Sequence, residues 1–94
     1  MGTHWDTRLW AEEDVNPLKR DMPIVGANDG SSGVALLLEM AVHLQKNPFE
    51  NIAVDIIFFD GEEFGRPGQG GYCQGSEYFV ENMRSFYSTP PTGV

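Results

Sequence analysis

The stretch IIFFDGEEFG, residues 56–65, passes from an apolar run to three acidic residues within a few positions. The longer run IAVDIIFF, residues 52–59, is almost entirely β-branched or aromatic, which predicts a strand covered on both faces, as in a parallel sheet. Asp60, Glu62 and Glu63 follow that strand directly. Because carboxylates are costly to remove from water unless a cation meets them, acids in this position point to a charged ligand.

The segment SSGVALLLEMAVHLQKN, residues 31–47, has the period of an amphipathic helix. Its predicted apolar face consists of Val34, Leu37, Leu38, Ala41 and Leu44, and its polar face carries Glu39, His43 and Lys46. His43 is therefore predicted to be a surface residue. The Asn47–Pro48 pair ends the helix, since the residue before proline avoids the helical region.

The remaining segments complete an α/β pattern. THWDT predicts a short strand from Thr3 to Thr7, so the order strand, helix, strand favours a layered fold with a mostly parallel sheet. Residues 11–23 are predicted to form an exposed loop, with a solvated acidic run at 12–14. The glycine-rich loop 65–75 lacks the order of a dinucleotide fingerprint. A last short helix is predicted over 76–83 with Ser76 as its N-cap, followed by a loose tail over 86–94.

Composition restricts the classes of partner. The chain has 94 residues, of which 40% are hydrophobic, and this suits one small domain or part of one. Its formal net charge of -8 argues against binding to nucleic acid or to an anionic membrane surface, and it is compatible with cations or with substrates that carry an amine. Cys73 is the only cysteine, so no intrachain disulfide forms. No signal peptide or membrane span is visible, and the compartment stays open.

Polar residues fall at comparable places around the predicted sheet. His4 and Asp6 lie in or at the end of the first strand, Asp29 lies in the turn before the helix, and Glu62 and Glu63 follow the second strand. Ligands of open α/β sheets bind outside the carboxyl ends of the strands, and a histidine with carboxylates suits zinc. Taken singly, each has a plainer explanation, namely a turn aspartate, a strand histidine or a solvated loop. Their common location predicts a metal site.

Four motifs together resemble a known family. HWDTR, PIVGANDGSSG, DIIFFDGEEFG and YCQGSEYF occur in the order seen in the co-catalytic zinc aminopeptidases, and they look most like the glutaminyl cyclase branch of that family. The resemblance covers roughly residues 3–80. It implies part of a three-layer α/β sandwich with a mostly parallel sheet, the zinc-peptidase or phosphorylase/hydrolase-like core, in a catalytic domain that includes residues 1–94.

The resemblance also implies roles for individual residues. Asp29 and Glu63 match zinc ligands, and Glu62 matches the general acid/base. His4 matches the histidine that holds a second zinc in the peptidases and is left uncoordinated in one-zinc cyclases. Asp6 matches an acid that orients this histidine.

The same motifs imply a backbone feature and a cofactor. The Asp29–Gly30 bond matches a family position known for a cis peptide. Zn²⁺ is the implied cofactor, and the implied substrate is a peptide N-terminus. Cyclisation of N-terminal glutamine to pyroglutamate is favoured over hydrolysis of the first peptide bond. Tyr72 stands where bacterial cyclases often place tryptophan, which counts slightly against that preference.

The family is much longer than this chain, and the part not matched carries a further histidine ligand and, in peptidases, a further aspartate. The chain alone is therefore predicted to be inactive or nearly so. Exposed strand edges and apolar faces predict a homo-oligomer. The rival interpretation is a non-catalytic binding or assembly module that kept the sheet and lost the chemistry. A calcium-binding module is disfavoured because the chain has no EF-hand spacing.

Overall fold

Two short strands and three helices form the framework of the computed structural model, which describes residues 1–87 and residue 89. The strands are β1 (Gly2–His4) and β2 (Ile57–Phe59), and the helices are α1 (Ser31–Lys46), α2 (Gln74–Glu81) and α3 (Met83–Phe86). A single 3-10 turn, Pro17–Lys19, lies in the otherwise irregular segment between β1 and α1. No helix in this part of the chain has the length and apolar character needed to cross a bilayer.

The two strands pair in parallel, which confirms the predicted strand arrangement. Gly2 lies opposite Ile57 and His4 lies opposite Phe59, and α1 makes the crossover between the strands. The amide of Trp5 donates to the carbonyl of Phe59 at 3.0 Å and extends the ladder by one bond. The carboxyl ends of both strands therefore lie at the same edge of the sheet.

Both strands are shorter than the sequence predicts. β1 ends at His4 and does not reach Thr7, and only 57–59 of the run 52–59 pair. The expectation that the second strand is covered on both faces is wrong, since Phe58 is 40% exposed. The physical reason is that β1 is the only strand hydrogen-bonded to β2 among the described residues, so the apolar run has no second neighbour to bury it.

The predicted helix over 31–47 is confirmed by α1, which packs against β1. Leu37 is buried, but Leu38, on the same predicted face, is 55% exposed. Because a strand of three residues covers only a narrow strip of the helix, part of the apolar face stays in solvent. His43 is exposed, as predicted. The amide of Asn47 donates to the carbonyl of His43 at the end of the helix.

The helix predicted over 76–83 starts earlier than expected, because Cys73 and not Ser76 precedes its first turn. The amides of Cys73, Gln74 and Gly75 donate to the carbonyls of Glu62, Gly61 and Asp60 at 3.1, 3.1 and 3.0 Å. Ser76 therefore lies inside α2, where its hydroxyl donates to the carbonyl of Cys73 at 3.0 Å. This ladder fastens the start of α2 to the loop that carries the glutamate pair.

The predicted loose tail, 86–94, falls largely outside the described residues, which omit Ser88 and residues 90–94. Phe86, the first residue of that range, is the last residue of α3. Its ring stacks on Phe79 with centroids 5.6 Å apart, so the end of α3 packs against α2.

Substitution of Gly75 by alanine tests the docking of α2. Alanine favours helix over glycine by about 1 kcal/mol, yet a methyl group at position 75 would collide with the carbonyl oxygen of Asp60. We expect Gly75→Ala to lower the free energy of unfolding by about 1–3 kcal/mol, measured by urea denaturation. Glu81→Ala, an exposed change in the same helix, is the control; equal stability of the two variants would contradict the close packing.

Candidate functional site

Asp6 connects the end of β1 to the loop that follows β2. It is the buried acidic residue of the described chain, with 6% of its surface exposed. Its Oδ1 accepts the amide of Glu62 at 3.1 Å, and its Oδ2 accepts the amide of Glu63 at 2.8 Å. Because a buried carboxylate is stable only when its oxygens are hydrogen-bonded, this pair of bonds fixes the glutamate pair beside β1.

His4, the last residue of β1, contacts oxygen atoms through both ring nitrogens. Nδ1 lies 3.1 Å from the carbonyl oxygen of Asp6 and 3.5 Å from its carboxylate, and Nε2 lies 3.1 Å from Oδ1 of Asp29. Burial alone would lower the pKa of His4, but the charges of Glu62, Asp6 and Asp29 and the Asp6 carbonyl outweigh it, so the pKa is raised. A protonated ring satisfies both contacts.

Asp29 approaches the site from the turn before α1, with 72% of its side chain exposed. Gly30 follows with a φ of 80°, a left-handed conformation that glycine adopts without a steric penalty. The expected cis Asp29–Gly30 bond is wrong, since no cis peptide bond occurs in the described part of the chain. The Asp29–Gly30 peptide is trans, and Gly30 enters α1 with a positive φ.

Glu63, the second member of the glutamate pair, has 13% of its side chain exposed. Burial raises its pKa, and the neighbouring charges of Glu62 and Asp29 raise it further. Its Oε2 is buried and has no hydrogen-bond partner among residues 1–87 and 89. The nearest cation is Nη1 of Arg8, at 3.6 Å, which is too long for a hydrogen bond.

Arg8 was missed as a site residue, although it ends the HWDTR motif. Its Nη2 donates to Glu12 at 2.7 Å and to the hydroxyl of Tyr72 at 2.9 Å, so it links three segments around Glu63. Glu12 is paired and 23% exposed, which corrects its assignment to a solvated run. The sequence did contain a signal for Arg8. It lies two positions after Asp6, which itself lies two positions after His4, so the three residues alternate along the chain.

The side chains of His4, Asp29 and Glu63 are of types that bind zinc, but they do not all lie close together. Imidazole nitrogen and carboxylate oxygen are zinc donors, and the unpartnered Oε2 of Glu63 is a buried acceptor of the sort that a cation would satisfy. His4 and Asp29 already meet. Within the described residues, however, no three His, Cys, Asp or Glu side chains stand close enough to hold a metal together.

Comparison of the sequence with known proteins points to one family. The family model described as Peptidase family M28 matches residues 1–91. The probable lipoprotein aminopeptidase LpqL of Mycobacterium tuberculosis is 45% identical over 49 residues, which are 52% of this chain and 10% of that protein.

Solved structures give the same result for the fold. The glutaminyl cyclase of Bacteroides thetaiotaomicron, bound to N-acetylhistamine, is 42% identical with a TM-score of 0.79 over 86% of this chain. A Zn-dependent exopeptidase from Parabacteroides distasonis is 37% identical with a TM-score of 0.78, also over 86% of this chain. The chain spans 30% of the length of each of these structures. The predicted α/β zinc-peptidase fold is confirmed.

Loss of the Asp6 charge tests the link between the two strand ends. Asn at position 6 offers one oxygen and one amide group where two amides now point, so we expect Asp6→Asn to lower the free energy of unfolding by about 2 kcal/mol. Urea denaturation measures the change. Asp21→Asn, at an exposed loop position, is the matched control, and equal midpoints for the two variants would rule out the proposed link.

Proposed function

The chain belongs to peptidase family M28, and we propose that it contributes the zinc ligands and the proton-transfer residue of an enzyme that acts on peptide N-termini, of the glutaminyl cyclase type. One observation carries the proposal: Asp6 holds the Glu62–Glu63 pair beside the His4–Asp29 pair at the carboxyl ends of two parallel strands. Carboxylates and an imidazole at this edge of the sheet are of the chemical types that bind a dication and a substrate amine.

Asp29 and Glu63 would hold the zinc, and His4 would be a further ligand only in a two-zinc site. Oε2 of Glu63 accepts no hydrogen bond within the described part of the chain, which supports its role as a ligand. Bound Zn²⁺ supplies positive charge that polarises the carbonyl group of the substrate. Asp6 positions this set through the backbone of Glu62 and Glu63 and through its 3.5 Å approach to His4.

Glu62 moves the proton in the proposed reaction. The α-amine nitrogen of an N-terminal glutamine attacks the side-chain amide carbon, and a ring C–N bond forms as the bond to the amide nitrogen breaks. The Glu62 carboxylate takes a proton from the α-amine and gives it to the departing ammonia. The reacting groups belong to one molecule, so orientation supplies much of the rate and no water is consumed.

An aminopeptidase is the second candidate, supported by the similarity to LpqL of M. tuberculosis. In this reaction Glu62 takes a proton from water and gives it to the leaving amine. The products separate the two candidates, since a cyclase releases ammonia and a pyroglutamyl peptide and an aminopeptidase releases a free amino acid. A non-catalytic binding module is the third candidate and predicts no zinc binding at this site.

Zinc titration by calorimetry tests the proposed ligands. We expect the chain to bind one zinc ion weakly, because no three ligands stand close together among the described residues, and we expect Asp29→Ala to abolish that binding because it removes a ligand. Asp21→Ala, which removes an exposed acid elsewhere, is the matched control. Absence of binding by the unaltered chain would favour the non-catalytic module.

The same samples allow a turnover assay with an N-terminal glutaminyl peptide. Because the chain spans about a third of the cyclases and exopeptidases that it resembles, we expect little or no turnover from it alone. Rates like those of a full-length cyclase would contradict that expectation, and the products would identify the reaction.

We also propose that the chain forms a homo-oligomer. Large apolar side chains such as Trp5, Ile52 and Phe58 are exposed. A groove of about 470 Å³ between β2 and the last two helices is lined largely by apolar and aromatic residues, among them Ile57, Phe59, Tyr78, Phe79 and Phe86. Contiguous apolar surface of this kind favours association.

Light scattering tests the oligomer. We expect a mass at least twice the 10.5 kDa of one chain, and we expect Ile52→Ser with Phe58→Ser to shift it toward the monomer. Val15→Ser, at an exposed loop position, is the control. A monomeric mass at high concentration of the unaltered chain would contradict the proposal.

A further inference from the structure

We propose that Cys73 is a positioning residue whose thiol donates a hydrogen bond to the carboxylate of Glu62 and so orients it. The inference rests on the proposed function for the role of Glu62 in proton transfer, whereas the hydrogen bond itself does not depend on that role. Sγ of Cys73 lies 3.5 Å from Oε1 of Glu62, and both residues are half-buried.

The backbone of Cys73 places the thiol at this point. Cys73 is the only non-glycine residue with positive φ in the described chain, at 59°. Residues other than glycine rarely occupy the left-handed region, so this conformation motivates the search for a function of the Cys73 side chain. The unusual conformation occurs at the residue immediately before α2, which faces the glutamate loop.

Backbone hydrogen bonds hold Cys73 and Glu62 in register. The amide of Cys73 donates to the carbonyl of Glu62, and the next two amides donate to the two preceding carbonyls of the same loop. The side-chain contact is therefore the continuation of a three-bond ladder. Neither residue can move along the chain direction without breaking that ladder.

The electrostatic surroundings keep the sulfur protonated, as a donor must be. The hydrogen bond to Glu62, partial burial and the charges of Glu77 on α2 and Glu63 on the loop all raise the pKa of the Cys73 thiol. A thiolate in this position would be repelled by the carboxylates of Glu62, Glu63 and Glu77. The sulfur is thus suited to hydrogen-bond donation and poorly suited to nucleophilic attack.

A thiol is also chemically appropriate for holding a group that must exchange protons. S–H is a weak donor, so it can orient a carboxylate with little reduction of its proton affinity. A charged donor such as arginine or lysine would stabilise the ionised form much more strongly. The guanidinium of Arg8 donates instead to Glu12 and to the hydroxyl of Tyr72.

Alkylation of the single cysteine by iodoacetamide, in mildly alkaline buffer, tests the contact without zinc or substrate. Glu62→Gln removes the carboxylate charge beside the thiol, so a larger fraction of Cys73 is thiolate at a given pH. A more acidic thiol is also a weaker nucleophile, which offsets part of this gain. We therefore expect alkylation to be about three- to tenfold faster. Glu81→Gln, which neutralises an exposed acid at the end of α2, is the matched control and should react as the unaltered chain does. Equal rates for all three proteins would overturn the proposal.

Two spectroscopic measurements separate positioning from a general structural role. The S–H stretching band belongs to one residue, and we expect it at lower frequency in the folded chain than in the urea-unfolded chain, with most of that shift lost in Glu62→Gln. The carboxyl carbon resonance of Glu62 should keep its position in Cys73→Ser, which retains a donor, and move in Cys73→Ala. A folded-state band at the unfolded frequency, or identical Glu62 resonances in both cysteine variants, would overturn the proposal. Failure of zinc binding or turnover would leave these readouts unaffected.

Discussion

The buried carboxylate of Asp6 is the interaction on which the candidate site depends. Its two oxygens accept the amides of Glu62 and Glu63, residues more than fifty positions away in the sequence. The two short strands alone would bring these segments near each other, but the carboxylate fixes how the glutamate loop leaves the sheet. A buried carboxylate whose oxygens lack hydrogen bonds destabilises the folded state. The stability of the fold therefore depends on the amides of Glu62 and Glu63 lying where Asp6 needs them.

The end of β1 and the residues that follow it supply both the buried carboxylate of Asp6 and its positively charged neighbours. His4, Asp6 and Arg8 occupy alternate positions, and each faces the acidic loops: His4 contacts Asp29, and Arg8 approaches Glu63. The arrangement balances an excess of carboxylates with one imidazole and one guanidinium. It also explains why a strongly acidic chain tolerates several half-buried acids in one place.

Sequence patterns that extend over a few residues predicted the helix α1 and the position of the strand β2. The apolar period predicted α1 to within one residue, and β-branched residues located the second strand. The prediction of strand length was wrong, because the length of a strand depends on the neighbouring strand with which it pairs. The sequence of a single strand does not reveal that neighbour. Ser76 was misplaced as an N-cap because the carbonyls of the glutamate loop, and no side chain, receive the first amides of α2. Of the candidate site, the sequence named the acids and His4 and offered the alternate spacing of Arg8 as an unused signal, whereas the contact of Cys73 with Glu62 is visible only in three dimensions.

The parallel register of β1 on β2 has a further implication for folding fidelity. Strands of three residues share few backbone bonds, so a slipped alignment would cost little in the ladder itself. A slip by one residue would displace Asp6 by about 3.3 Å relative to the glutamate loop and strand its carboxylate in the interior. A misaligned sheet would therefore be less stable, because the carboxylate of Asp6 would lose its two hydrogen bonds. The residue that positions the glutamate pair thus also favours the correct strand register.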